Sequence, residues 1–163
     1  MTKKELIKKI EKARSSRVIT YITGDRQPFA TKIAGDVVPL LNGQLEQIGK
    51  VKKISLFLYT NGGDMLAPIR IVKLIRNHCD EFEVIVPYKA HSAGTLVALG
   101  ADKIVMSKLG ELTPVDPTTG HPFNPTNPAN PQKLLEVSVE DLNSYLLFAK
   151  DKAGVKEEQM IEV

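Results

Sequence analysis

The chain has 163 residues, 42% of them hydrophobic and 25% charged, with a formal net charge of +3. That length suits one globular domain with a sizeable core, and the composition is ordinary for a soluble protein. The weak positive charge gives no support to nucleic-acid binding, and a single cysteine, Cys79, excludes an intrachain disulfide and a cysteine-cluster metal site.

The first segment, "KKELIKKIEKARSSR", places Leu6, Ile7, Ile10 and Ala13 at helical spacing. It reads as an amphipathic helix with the lysines on a solvated face; docking on a membrane surface or a partner is the alternative. No apolar run approaches the ~20 residues that span a bilayer, and no signal peptide is visible. The expectation is a soluble, cytoplasmic chain that could associate with a membrane but has no transmembrane segment.

"RVITYIT" (17–23) is β-branched and aromatic and predicts a strand, and "GDRQPFATKIAGD" predicts a loop. "VVPLLNGQLEQIG" carries Val38, Leu41, Leu45 and Ile48 at spacings of three and four, which predicts a helix despite Gly43. "KKISLFLYT" reads as a buried strand broken by "NGG". "DMLAPIRIVKLIRNH" reads as a helix with Asp64 as N-cap and Pro68 in the first turn, where proline is tolerated. His78 falls where it can cap that helix's C-terminus, and Cys79 reads as a buried structural thiol.

"EVIVPY" predicts another buried strand, "SAGTLVALGA" a short helix and "DKIVMS" a further strand. Alternating strands and helices with short connections imply an α/β fold with a mostly parallel sheet. The stretch "PVDPTTGHPFNPTNPANPQ" then holds six of the ten prolines. It reads as an extended loop over 114–132, a candidate lid. Ser138 and Asp141 form a variant capping box before Leu142, Tyr145, Leu146 and Ala149, and Gly154 ends that helix. A last helix is expected from Lys156, and the chain stops at Val163 without a C-cap. The expectation is one domain over 1–163, either truncated at its C-terminus or docking its last helix on a partner.

Three features carry candidate chemistry. Gly62-Gly63 directly follows a buried strand. It is either a tight turn or an oxyanion hole, in which fixed N–H donors face a developing negative charge. Ser92-Ala93-Gly94 opens a helix. Ser92 is either an N-cap or an exposed nucleophile, with the Ala93 N–H and the helix dipole aimed at the same oxyanion. Asp116, in "LGELTPVDP", is either a turn-forming aspartate or a group that orients or accepts a proton. The first two features lie at equivalent ends of successive parallel strands, where ligands gather in such sheets.

A serine nucleophile needs a base. His91 adjoins Ser92, but neighbouring side chains usually point apart. His121 lies in the proline-rich stretch and can swing in. Lys89 and Lys108 flank the site in sequence. The residues leave the base unassigned.

The ordered set "SLFLYTNGGD" and "VIVPYKAHSAGTLVALGADKIVMSKLGELTPVDP" closely resembles the serine dehydrogenase proteinase family. That family belongs to the Clp and signal-peptide-peptidase-A class of serine peptidases, which share a crotonase-like spiral of repeated β-β-α units. The resemblance implies that Ser92 is the nucleophile and that Gly63 and Ala93 supply the oxyanion N–H groups. It also implies homo-oligomers and a peptide or protein substrate, with no metal or organic cofactor. Clp-type peptidases carry a catalytic histidine in the third motif; the matching position here, 24 residues after Ser92, is Asp116. Two other readings stay open: a catalytically silent oligomeric scaffold or binding module, and an acyl-CoA hydratase-type enzyme using Glu111 and Asp116.

Overall fold

The computed structural model describes residues 1–116, 118–119, 124–128, 130–135, 137–152 and 154. They fall into two units, one of Met1–Val115 and one that begins at Asp116. In the first unit, α1 (Lys3–Arg14) precedes β1 (Arg17–Ile22), α2 (Val37–Ile48), β2 (Val51–Tyr59), α3 (Ala67–Arg76) and β3 (Cys79–Val86). Then come β4 (Lys89–Ala90), α4 (Ala93–Leu99), β5 (Lys103–Met106) and β6 (Glu111–Leu112).

The main sheet is parallel, in the order β1-β2-β3-β5. Its central strands alternate in purpose. Ile54, Leu56 and Leu58 of β2 and Phe82, Val84 and Val86 of β3 are fully buried. They pack in one core with Leu41 and Leu45 of α2, Ile71 and Ile75 of α3, and Val97 and Ala98 of α4. Period two on the strands and three-to-four on the helices turn one apolar face of each toward the other.

A second set of short parallel pairings follows the same chain order. Ile33 bridges Gly63, Thr60 bridges Ala90, and β4 pairs with β6. Each main strand is thus followed by a short extended segment and, in three cases, a helix. This is a spiral of β-β-α repeats, and it matches the expected α/β class with a mostly parallel sheet.

One local expectation needs correction. Asp64 is not the N-cap of α3; that position is Leu66, and Asp64 Oδ1 instead accepts the Leu66 N–H at 2.8 Å. A short aspartate side chain reaches a backbone N–H two residues on more easily than it caps a distant helix start. At the helix's other end, His78 Nδ1 lies 3.0 Å from Leu74 O, as its position suggested. Cys79 is buried, and burial pushes its thiol pKa up.

In the second unit, β8 (Thr126–Asn127) and β9 (Asn130–Leu134) pair antiparallel, as do β7 (Thr118–Thr119) and β10 (Val137–Ser138). The proline-rich stretch therefore carries short strands that its composition hid. Helix α5 (Val139–Asp151) begins at Ser138, whose hydroxyl accepts the Asp141 N–H at 3.0 Å. Of its expected apolar face only Ala149 is buried; Tyr145 is 57% exposed. The expected helix from Lys156 lies outside the described residues.

The other face of the main sheet carries a buried charge. Glu83, in the middle of β3, has a fully buried side chain. The Arg14 guanidinium at the end of α1 binds both its oxygens, with Nε 2.8 Å from Oε1. The Ser55 hydroxyl donates at 2.9 Å and Lys53 Nζ at 3.2 Å. Helix α1 buries no residue of its own, so this polar clamp is its firmest tie to the sheet. Burial pushes the Glu83 carboxyl up, but the bonds from Arg14, Ser55 and Lys53 outweigh it and hold the pKa at about 2.

Folding lowers this pKa from 4.5, so the clamp's contribution is present above pH 4.5 and is lost as pH falls toward about 2. Glu83→Gln leaves Arg14 and Lys53 facing a neutral group in a buried site. The expected loss is about 3–5 kcal/mol, the scale for breaking a buried ion pair from one side. Urea denaturation at pH 7 measures it, and the variant should also lose less stability than the wild type between pH 4.5 and about 2.

Candidate active site

The second-layer pairings bring three turns side by side. Thr60 N–H donates to Lys89 O at 2.9 Å and His91 N–H to Thr60 O at 3.1 Å, which sets residues 60–62 against 89–92. On the other flank β4 pairs with β6, so residues 111–113 lie along the same segment. Ser92 thus sits between the glycine turn and Thr113.

Ser92 occupies the N-cap position of α4, yet its side chain makes no capping bond. Its backbone has φ 50° and ψ −113°, a region that a non-glycine residue rarely enters. Such strain persists only where neighbours over-determine the conformation. Here the Ser92 N–H donates to Thr113 Oγ1 at 2.8 Å, and the Gly94 N–H to His91 O at 2.8 Å. A sharp strand-to-helix turn of this kind lifts a serine hydroxyl out of the backbone. The hydroxyl, half-buried, lies 3.7 Å from Met65 Sδ.

Glycine is required at three points around it, Gly62, Gly63 and Gly94; a Cβ on Gly63 would overlap the Ile33 carbonyl oxygen. Gly62 has φ +100°, and a Cβ there would lie 2.9 Å from both Ser92 Cβ and His91 O. A Cβ on Gly94 would overlap the Thr60 methyl. The Gly62 N–H is taken by Thr60 Oγ1 at 3.0 Å. Ile33 N–H donates to Gly62 O and Asp64 N–H to Ile33 O, each at 2.8 Å. In a parallel bridge those flanking bonds leave the central residue's own N–H on the opposite edge. The Gly63 N–H therefore points away from Ile33. The Ala93 N–H, first in its helix, has no intrahelical acceptor.

His91 and Lys89 each have another partner. His91 Nε2 lies 3.1 Å from Glu111 Oε2, across from the β4–β6 pairing. Lys89 Nζ lies 4.0 Å from Asp25 Oδ2 and 5.0 Å from the centre of the Tyr88 ring. The Tyr59 hydroxyl donates to the same Asp25 at 2.6 Å, which holds the Asp25 carboxyl below its usual range. Asp116 is exposed and belongs to the second unit. His121 lies outside the described residues. Glu111, needed by a hydratase-type reading, is spent on His91.

Sequence reasoning missed Thr113, Thr95 and Met65. Thr113 and Met65 lie 21 and 27 residues from Ser92 and carry no pattern that marks them as its neighbours. Thr95, on the serine's own helix, matters only through Thr113. Among the described residues, no group of three or more histidine, cysteine, aspartate or glutamate side chains is placed to hold a metal ion. Among the same residues no helix is long and apolar enough to cross a membrane.

A spiral of β-β-α repeats with a serine lifted at a strand-to-helix turn beside a glycine turn defines the ClpP-type α/β class. A family profile of ClpP-like SDH-type serine proteinases matches residues 1–130, and the chain belongs to that family. Two uncharacterized proteins of Methanocaldococcus jannaschii are similar to it. MJ1495 is 33% identical over 128 residues, 74% of this chain and 43% of that protein. MJ0137 is 49% identical over 71 residues, 44% of this chain and 25% of that protein. The chain thus spans less than half the length of either relative. Among solved structures, the membrane-bound stomatin-specific protease 1510-N shares the fold, with a TM-score of 0.53 and 22% identity over 84% of this chain and 61% of that one.

Gly62→Ala is expected to destabilise the protein by about 1–3 kcal/mol, because the new Cβ is both strained at positive φ and pressed on the serine turn. Thermal denaturation checks it; a variant as stable as wild type would show that the turn yields without cost.

Proposed function

We propose that this chain is the core of a serine peptidase-like hydrolase in which Ser92 attacks the carbonyl carbon of a peptide bond. The Gly63 and Ala93 N–H groups hold the oxyanion that forms, assisted by the N-terminal dipole of α4. The observation that carries this reading is the Ser92 backbone at φ 50° with a side chain that caps nothing. An ordinary N-cap has no use for that strain, whereas a nucleophile must be lifted clear of its own helix. Membership of a serine proteinase family supports the same reading. Asp116, His121 or a residue of another copy remains as the proton acceptor, since His91 and Lys89 are engaged elsewhere. A peptide or protein substrate, a homo-oligomer and a cytoplasmic setting complete the proposal. The exposed apolar side chains of α5 suit burial in an oligomer.

One observation favours a second reading, a catalytically silent scaffold of the same fold. Among the described residues the Ser92 hydroxyl lies against the Met65 thioether and bonds to no imidazole or amine. A fluorophosphonate probe separates the two. The hydrolase reading predicts an adduct that mass spectrometry maps to Ser92 and that disappears in Ser92→Ala. Labelling that survives Ser92→Ala overturns the assignment, and a wild-type protein that takes no label supports the scaffold.

A further inference from the structure

We propose that Thr113 is the positioning residue for Ser92, and that Thr95 locks Thr113 in place. This rests on the reading of Ser92 as nucleophile only for its catalytic consequence; the structural part stands alone.

Thr113 follows β6, one residue beyond Leu112, which pairs with Ala90. That register brings its hydroxyl to the Ser92 N–H, where Oγ1 accepts at 2.8 Å. An N–H at a helix mouth normally faces water or a capping side chain from its own helix start. Here the acceptor comes from a different strand, 21 residues on. The bond holds the N–H side of Ser92, while the Leu96 N–H holds its C=O at 3.2 Å. Both ends thus resist relaxation from φ 50° to an ordinary helical or extended conformation.

Thr95 fixes the other side of the clasp. Its Oγ1 accepts the Thr113 N–H at 3.2 Å. Its hydroxyl proton goes to Ala90 O at 2.8 Å or to Thr113 O at 3.0 Å. Thr95 is 7% exposed, so little solvent competes for these bonds. Two threonines thereby tie the strand before the serine, the serine itself and the end of the next strand into one unit.

The clasp also sorts the N–H donors. With the Ser92 N–H committed to Thr113, the donors left for an oxyanion are those of Gly63 and Ala93. Loss of the Thr113 hydroxyl should therefore both loosen the turn and release a competing donor.

The test uses Thr113→Val, which keeps the shape and removes the acceptor, and Thr113→Ser, which restores the hydroxyl. Amide hydrogen exchange at Ser92, read by NMR, should be roughly fivefold to tenfold faster in Thr113→Val, the scale of one lost neutral hydrogen bond. It should return to the wild-type rate in Thr113→Ser. Fluorophosphonate labelling of Ser92 should slow and recover in the same order, with melting temperatures close to wild type. Unchanged exchange in Thr113→Val overturns the proposal. So does a serine variant that behaves like the valine one, which would assign the effect to methyl packing. If the valine variant does not fold, Thr113→Ala is read in the same way. A wild-type protein that takes no label defeats the nucleophile reading, and exchange alone then decides whether Thr113 holds the turn.

Discussion

Two backbone hydrogen bonds, Thr60 N–H to Lys89 O and His91 N–H to Thr60 O, join the ends of neighbouring repeats and create the candidate site. They extend the β2–β3 pairing past the main sheet, in parallel register, into the segment that carries Ser92. Because all strands of the main sheet run the same way, their carboxyl ends meet at one edge. The glycine turn after β2, the serine turn after β4 and the threonine after β6 are then neighbours by topology. None of them needs a long side chain to reach the others.

The serine turn is strained, and the rest of the unit must hold it. Close packing of Gly62 and Gly94 leaves Ser92 no room to relax. The apolar faces of β2 and β3 bury Ile54, Leu56, Phe82 and Val84 completely and supply the stability that offsets the strain. On the opposite face, Glu83 is satisfied by Arg14, Ser55 and Lys53 and ties α1 to the sheet. Helix α1 thus behaves as a polar-clamped cover, unlike α2 and α3, which are held by buried leucines and isoleucines.

The helices and main-sheet strands of the first unit were legible because of their period or apolar runs, whereas β4 and β6, of two residues each, were not. β2 and the second half of β3 are apolar runs, while the first half of β3, with Asp80 and Glu81, does not read as strand. α2 and α3 repeat their apolar residues every three or four positions. The parallel order followed from strict alternation. Asp64 misled because aspartate favours an N-cap and an Asx turn for the same reason, a short acceptor near the backbone. The short strands of the second unit were hidden because two-residue pairings leave almost no period, and prolines at edges do not forbid them. The capping of α5 was visible in Ser138, while the exposure of its apolar face was not.

The sequence by itself determined the alternating α/β order, the positions of Gly62, Gly63 and Ser92 at strand ends, and the motif set that marks the family. Local residue types and short spacings encode these, so no long-range contact is needed to read them. Only the tertiary structure decided what surrounds Ser92. It set His91 on Glu111, Lys89 beside Asp25, Met65 against the serine hydroxyl and Thr113 on the serine N–H. Those partners lie far apart along the chain or on opposite sides of an extended segment, and strand register alone chooses among them.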